Sequence, residues 1–205
     1  ATPALNRIVE WNEAMHLPEA LYNIEQWMRQ QENAATKITE QILQVNSFSH
    51  FLAVIFGIGI LTGIGEEMIF RGVLQRIVQD KNHRAHVAVW ICAFLFSAIH
   101  LQFYGFIPRL LLGAFFGYLL VWSKNLWLPI FAHLFNNSTV ACISYFTNDK
   151  SPDNLIETVG TSGSPTSWLA GASLIGTVIL LYVLYKKVFF SKSKEFFPME
   201  DKITP

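Results

Sequence analysis

Five apolar segments follow one another along the chain after a polar N-terminal region. We call them spans A to E, and they cover residues 48–64, 87–101, 106–122, 126–146 and 168–190. A helix that crosses a membrane needs about 20 residues, and fewer where interfacial side chains anchor its ends. Spans A, B and C are short by that measure, so we expect irregular ends or partial crossings there. Span A is expected to run on helically to Val78, and span C to be interrupted at Pro108-Arg109.

The polar residues 1–46 predict a separate helical region. Apolar side chains recur there at spacings of three and four, the pattern of an amphipathic helix with an aromatic face: Ala20, Leu21, Ile24, Trp27 and Met28. Such a helix either lies in the membrane interface or packs on the bundle as part of a helical hairpin, and the pattern favours neither. We divide the chain into this N-terminal region (1–46), a membrane-embedded bundle (47–190) and a tail (191–205).

Composition supports a membrane protein. Of the 205 residues, 52% are apolar and only 15% are charged, whereas soluble domains carry about 25% charged residues. Together with the five spans, this predicts an all-α, polytopic helical membrane protein whose immediate partner is membrane lipid. The net charge is zero, so nothing indicates a nucleic-acid partner. Cys92 and Cys142 both lie in apolar segments and are interpreted as small core residues rather than as a disulfide or a metal pair.

The distribution of Lys and Arg predicts the orientation. These residues gather between spans A and B, between spans C and D, and after span E, whereas the D–E loop (147–167) is mainly acidic. The positive-inside rule then places the first two loops and the C-terminus in the cytoplasm. The short chain and simple loops are typical of a bacterial protein, so we expect a multi-pass protein of the bacterial inner membrane. Because the chain begins at Ala1 rather than Met, we also expect that one or more N-terminal spans are missing.

Two adjacent carboxylates, Glu66 and Glu67, follow the uncharged segment 51–64. Charged side chains in hydrocarbon are costly and are usually functional. In a helix, Glu67 can pair with Arg71 four residues later, whereas Glu66 points to another face and has no local cation. A desolvated carboxyl without a cation suits general acid–base chemistry. The alternative is that both acids belong to a structural network of ion pairs.

Three more polar residues lie in apolar surroundings on later spans. His100 ends span B, and His133 and Asn137 share one face of span D because they are four residues apart. A single histidine in an apolar segment is most often a satisfied core residue. Buried polar groups need partners, however, so the three residues and the Glu pair are expected to meet. At the rise of an α-helix, Glu66 and His100 lie at similar depth, about 20 Å from the inner end, but His133 lies at about 10 Å. Its depth relative to Glu66 stays open.

The motifs Glu66-Glu67-x-x-x-Arg71, Phe96-x-x-x-His100 and His133-x-x-x-Asn137 resemble, in this order, those of the CPBP (Abi) family of intramembrane proteases. This is the type II CAAX prenyl endopeptidase group, which also includes bacteriocin self-immunity proteins. The resemblance covers about residues 48–146. It implies hydrolysis of a peptide bond inside the membrane, with a water molecule activated by Glu66 and His100.

The resemblance also implies the other roles. His133 and Asn137 would stabilise the oxyanion, Arg71 and Phe96 would support the site, and Glu67 would support it or share the catalytic work. The family is often labelled a metalloprotease, and Glu66, His100 and His133 are ligand types that zinc accepts. A mechanism without cofactor is our preferred expectation, with zinc as the alternative.

Three functions remain open at this point. The first is an endopeptidase acting on a membrane-associated protein or peptide. The second is a non-catalytic scaffold or bacteriocin-immunity protein that uses the same polar cluster for binding. The third is a small transporter with a Glu/His proton relay.

Overall fold

The computed structural model describes residues 2–82, 84–147 and 158–186, and within them the ordered elements are all helical. The helices are α1 (Thr2–Glu13), α2 (Tyr22–Leu43), α3 (48–82), α4 (Ala85–Ala98), α5 (Phe106–Ser123), α6 (Trp127–Thr147) and α7 (Trp168–Leu184). The predicted all-α class is confirmed. The tail predicted for 191–205, and the acidic residues of 148–157 that helped to predict the orientation, lie outside the described residues.

Each predicted span corresponds to one of the helices α3 to α7. In the part of the chain that the structure describes, two helices are long and apolar enough to cross a membrane, namely Phe48–Gln79 and Phe106–Ser123. Ala85–Ala98 and Trp168–Val183 are apolar but shorter. The predicted continuation of span A to Val78 is confirmed, because the helix runs through the charged Glu66–Arg71 stretch to Gln79. The expectation that spans A and C are short is wrong. The predicted interruption at Pro108 is wrong as well, since this proline lies in the first turn of α5, where no helical N–H is needed.

Helix α3 changes its winding twice. Its segments Ile55–Leu61 and Met68–Leu74 are π-helical, and the α-helical segment Thr62–Glu67 lies between them. Side chains satisfy two carbonyls of the first π segment: Thr62 Oγ1 donates to Gly57 O (3.1 Å) and Asn137 Nδ2 donates to Ile58 O (3.2 Å). Short π segments inside α-helices are rare and often mark functional sites. The two adjacent carboxylates end the α-helical segment between them.

Glycines allow helices α3 to α6 to approach closely. A Cβ added at Gly63 on α3 would lie 3.2 Å from the backbone nitrogen of Leu134 on α6. On α5, a Cβ at Gly113 would lie 3.3 Å from Ala93 Cα of α4, and one at Gly117 would lie 3.0 Å from Val89 Cγ1. Small residues at helix crossings are typical of membrane bundles, where close backbone packing replaces the hydrophobic effect.

The N-terminal region packs on the bundle. Helix α1 lies against α5 and α7, and Asn6 Nδ2 donates a hydrogen bond to Val159 O (3.0 Å). On α2, the Trp27 ring lies 5.5 Å from that of Phe103, in the loop between α4 and α5. Of the two arrangements that the sequence left open, the structure therefore shows packing on the bundle.

Candidate active site

A fully buried ion pair forms one side of the site. Arg71 Nη1 lies 3.0 Å from Glu67 Oε1, and neither side chain is exposed to solvent. Arg71 Nη2 also donates to the carbonyl of Gly113 on α5 (2.8 Å). One turn further along α3, Gln75 Nε2 donates to the carbonyl of Gly117 (3.2 Å). The pair expected from the spacing of Glu67 and Arg71 is therefore present, and it continues into hydrogen bonds that join α3 to α5.

Aromatic rings surround the Arg71 guanidinium. Its central carbon lies 4.7 Å from the ring centroid of Phe96, 5.6 Å from that of Phe116 and 5.9 Å from that of Phe70. A cation over an aromatic face is attracted by the ring quadrupole, by about 2 kcal/mol where water is excluded. Phe96, which is only 2% exposed, thus lies where a supporting residue was expected.

His133 reaches both carboxylates. Its Nδ1 lies 2.8 Å from Glu67 Oε1, and its Nε2 lies 3.7 Å from Glu66 Oε2. The imidazole ring is stacked on Phe116, with the two centroids 4.9 Å apart. The structure thus settles the depth of His133, which is level with the Glu pair. The close crossing of α3 and α6 at Gly63 and Leu134 brings this part of α6 against the pair.

Glu66 and His100 form the half-open side of the site. His100 Nε2 lies 3.9 Å from Glu66 Oε1, and the two side chains are 27% and 24% exposed. His100 Nδ1 lies 2.7 Å from the carbonyl oxygen of Phe96. Because a carbonyl only accepts, Nδ1 carries the proton, and in the neutral ring Nε2 presents its lone pair towards Glu66.

Asn137 lies further along the α3–α6 interface. Its amide nitrogen donates to Ile58 O (3.2 Å), eight residues before Glu66. Among the contacts of the described residues, none joins Asn137 to Glu66 or His100. The structure therefore brings together Glu66, Glu67, Arg71, Phe96, His100 and His133. Asn137 lies beside them, with its amide bonded to Ile58 O.

Several neighbours of the site were missed from the sequence. Gln75 extends the four-residue spacing of Glu67 and Arg71, and the spacing Gly113-x-x-x-Gly117 on α5 matches it. These two matching patterns could have predicted that α3 and α5 cross here. Phe116 is one of 17 phenylalanines, and no signal in the sequence distinguishes it.

The donor types in the site, two imidazoles and a carboxylate, are ones that zinc accepts. Within the described residues, no group of three or more His, Cys, Asp or Glu side chains is placed so as to hold a metal ion. Zinc–nitrogen and zinc–oxygen bonds are about 2.0–2.2 Å long.

Part of the chain matches a known protein family. Residues 48–139 match the model of a family described as type II CAAX prenyl endopeptidase, Rce1-like. The chain is similar to the Rce1-like family. The matched residues, which we call the Rce1-like segment, extend from the start of α3 into α6 and include Glu66, His100 and Asn137. The resemblance predicted from the motifs is confirmed over this segment, and with it the helical membrane protein class.

The match to one curated relative is longer than the Rce1-like segment. The chain is 29% identical over 109 residues to the uncharacterized protein YpbD of Bacillus subtilis (strain 168), which is 51% of this chain and 51% of that protein. The chain therefore spans about half the length of this relative. No solved structure matches the chain. The Rce1-like match points to a membrane protein with peptidase chemistry.

Proposed function

We propose that this protein is an intramembrane endopeptidase that hydrolyses a peptide bond in a membrane-associated protein or peptide. The observation that carries the proposal is that the two adjacent carboxylates differ in burial and in their partners. Glu67 is fully buried and paired with Arg71, whereas Glu66 is 24% exposed and faces the Nε2 atoms of two histidines, at 3.7 and 3.9 Å. A partly solvated carboxylate between two imidazoles suits general acid–base work.

The proposed base consists of Glu66 and His100 together. The Glu66 carboxylate and the His100 Nε2 lone pair are both acceptors, so a water molecule can donate one hydrogen to each. A water about 2.8 Å from both atoms spans the distance between them. The oxygen lone pairs of this water then point towards a substrate carbonyl. As the oxygen attacks the carbonyl carbon, its proton passes to Glu66.

The proposed oxyanion donors are His133 and Asn137. Nδ1 of His133 faces Glu67 and its Nε2 faces Glu66, so an N–H on Nε2 would point towards Glu66 and the substrate. The Asn137 amide has two hydrogens, and one remains for the substrate when the other binds Ile58 O. Donors in a dry site stabilise a developing oxyanion strongly.

Collapse of the tetrahedral intermediate completes the reaction. The carbon–nitrogen bond breaks, and the proton held by Glu66 is transferred to the leaving amine. One peptide bond and one water give one carboxylic acid and one amine, and the acid then transfers its proton to the amine. In this scheme the ion pair of Glu67 and Arg71 stays charged throughout and fixes the orientation of His133.

The test is a cleavage assay of the purified protein in detergent micelles against a library of membrane-spanning peptides. Wild type, Glu66→Gln and the control Glu40→Gln, which changes an exposed carboxylate of α2, are compared with and without a chelator. We expect equal cleavage by wild type and the control, a loss of about 10²–10⁴-fold in Glu66→Gln, and no effect of the chelator.

Other outcomes would replace the proposal or part of it. Cleavage that is lost on chelation and restored by zinc would make Glu66, His100 and His133 metal ligands. No cleavage by a well-folded wild type would favour a scaffold or immunity protein. In liposomes, proton-coupled flux that depends on Glu66 would favour a transporter.

We also propose that the N-terminal region lies on the outer face of the bacterial inner membrane, with the C-terminus in the cytoplasm. Contacts join α1 to Val159 and α2 to the loop 99–105, and the distribution of Lys and Arg predicts that both of these loops lie outside. A membrane-impermeant thiol reagent should label Ser162→Cys in intact cells and Lys124→Cys only after lysis, in a background where Cys92 and Cys142 are alanine. The reverse labelling would invert the orientation.

A further inference from the structure

The loop that follows His100 contains an unusual backbone conformation. Leu101 has a φ of 53°, in the left-handed region that side chains with a Cβ rarely adopt. Such residues persist only where the surrounding structure holds them, and they cluster at functional sites. Because Leu101 directly follows His100, whatever holds this turn also bears on the position of the His100 ring.

Two side chains from the N-terminal region hold the loop. Asn12 of α1 is only 1% exposed, and its Nδ2 donates to the carbonyl of Phe103 (2.8 Å) and to that of Tyr104. Glu32 of α2 accepts a hydrogen bond from the Tyr104 backbone N–H through Oε2 (3.2 Å). We call Asn12 and Glu32 the N-terminal clamp.

The contacts of the N-terminal clamp are reinforced by rings. The Trp27 ring packs 5.5 Å from that of Phe103, and the Arg29 guanidinium lies 4.6 Å from the Tyr104 ring centroid. The loop is thus covered by α1 and α2, which both lie outside the Rce1-like segment. The family match, which covers residues 48–139, does not include these residues.

We propose that Asn12 and Glu32 are positioning residues that hold the loop 99–105 in its left-handed turn and thereby keep the His100 ring facing Glu66. The chemical role of His100 rests on the proposed function, but the positional effect does not. Among the contacts of the described residues, none joins either clamp side chain to Glu66 or His100, so the clamp acts through the loop backbone that carries His100. Without it, Leu101 relaxes towards an ordinary conformation and His100 turns away from Glu66.

Hydrogen exchange of the full chain in detergent micelles tests the clamp without any substrate. Asn12→Ala is compared with Asn6→Ala, its matched control, because Asn6 lies on the same helix and also donates to a distant backbone carbonyl, that of Val159. We expect the amides of residues 100–106 to exchange about tenfold faster in Asn12→Ala and at the wild-type rate in Asn6→Ala. Unchanged exchange in a folded Asn12→Ala would overturn the proposal.

Glu32 supplies a rescue test and a second route should Asn12→Ala not fold. Glu32→Gln keeps an oxygen that accepts from the Tyr104 N–H, whereas Glu32→Ala removes it. We expect loop exchange to stay within about twofold of wild type in the first variant and to rise about tenfold in the second. Equal exchange in the two variants would show that this hydrogen bond does not hold the loop.

The ring of His100 gives a spectroscopic readout. In protein labelled with ¹⁵N-histidine, the His100 signals are assigned from their loss in His100→Gln. Asn12→Ala should shift the His100 signals and leave those of His86, on the other end of α4, in place. If the His100 signals stay in place while the loop exchanges faster, the clamp does not position the ring and the proposal fails.

Backbone strain predicts a coupling between Asn12 and Leu101. Glycine adopts a positive φ without cost, so Leu101→Gly removes the tendency of the loop to relax. Asn12→Ala should therefore accelerate loop exchange about tenfold in the wild-type background and only about twofold in Leu101→Gly. Equal factors in both backgrounds would overturn the strain argument.

A kinetic comparison uses the library peptide that wild type cleaves fastest. Asn12→Ala should lower kcat about tenfold with KM nearly unchanged, since the clamp acts on the His100 ring and not on binding. A change confined to KM would contradict this role. If wild type cleaves nothing, the proposed function fails. Hydrogen exchange and the histidine signals then still test whether the clamp positions the His100 ring.

Discussion

The chain contains two clusters with the same internal geometry in different surroundings. The outer cluster consists of His16, Glu25 and Arg29, and the inner cluster consists of Glu67, Arg71 and His133. In each, a Glu pairs with an Arg four residues later, at 2.8 and 3.0 Å, and the same carboxylate oxygen faces a histidine Nδ1, at 3.0 and 2.8 Å. In each, the guanidinium also lies over an aromatic ring, at 4.6 and 4.7 Å.

The clusters differ in solvation and in one neighbour. In the outer cluster, the side chains of Arg29 and His16 are 35% and 74% exposed, whereas those of Arg71 and Glu67 are fully buried. The inner cluster also adjoins a second carboxylate, Glu66, that has no arginine of its own. A Glu–Arg–His arrangement is therefore not a functional site in itself. Removal from water, together with the additional half-open carboxylate, distinguishes the candidate active site.

Removal of the arginine should give the largest difference in stability loss between the two clusters. Arg71→Leu leaves Glu67 buried without its cation, which typically costs about 3–5 kcal/mol. Arg29→Leu is the matched control and should cost less, because the Leu17 N–H and His16 still bond to the Glu25 carboxylate and the Arg29 side chain is 35% exposed. Unfolding of the purified variants in mixed detergent–SDS micelles measures both. Similar losses in the two variants would mean that the inner pair is solvated.

Replacement of the histidine should affect both stability and chemistry, but only in the inner cluster. His133→Gln can keep one donor on Glu67 but cannot face Glu66 at the same time, so we expect a loss of about 1–3 kcal/mol and no cleavage in the peptide assay. His16→Gln should leave both properties at the wild-type level. Cleavage by a folded His133→Gln would remove His133 from the proposed oxyanion site.

The packing that excludes water from the inner cluster can be loosened at one glycine. A Cβ at Gly117 would lie 3.0 Å from Gln75 Oε1 and from Val89 Cγ1, so Gly117→Ala should cost about 1 kcal/mol through overpacking. Gly176→Ala is the control, because nothing lies within 4 Å of a Cβ there. Its unfolding free energy should stay level or rise, since Ala is the better helix former. Equal changes in the two variants would argue against the tight α3–α5 crossing.

Much of the inner cluster could be predicted from the sequence, because its signals are local. The spacing of Glu67 and Arg71 predicts their pair, and charges after an apolar segment predict a site. The depth of His133 could not be predicted, because it depends on where α3 and α6 cross. The continuation of α3 beyond the apolar segment was predicted as far as Val78, close to the observed end at Asn82. Charged residues interrupt a hydropathy pattern, but they do not interrupt a helix whose neighbours satisfy them.

The N-terminal clamp was not predicted at all. Asn12 is an ordinary polar residue of an amphipathic helix, and its partners are backbone carbonyls 91 and 92 residues away. The positive φ of Leu101 could not be predicted either, because glycine or asparagine is the residue type that usually indicates one. Contacts of this kind depend on how α1 and α2 pack on the loop, which the periodicity of either helix alone does not determine.

The smallest effect expected is the acid sensitivity of the outer cluster. Hydrogen bonds from the Arg29 side chain, the Leu17 backbone N–H and His16 lower the pKa of Glu25 from its ordinary value of 4.5 to about 2. Because the pKa is lowered in the folded protein, the stabilisation is complete above pH 4.5 and is lost as the pH falls towards 2.

Hydrogen exchange of residues 16–29, corrected for its intrinsic pH dependence, should therefore accelerate over this range in wild type. Glu25→Gln should show faster exchange that no longer depends on pH. A wild-type protein that shows no acceleration would mean that the outer cluster contributes nothing to the packing of α2, and that the comparison with the inner cluster is one of geometry alone.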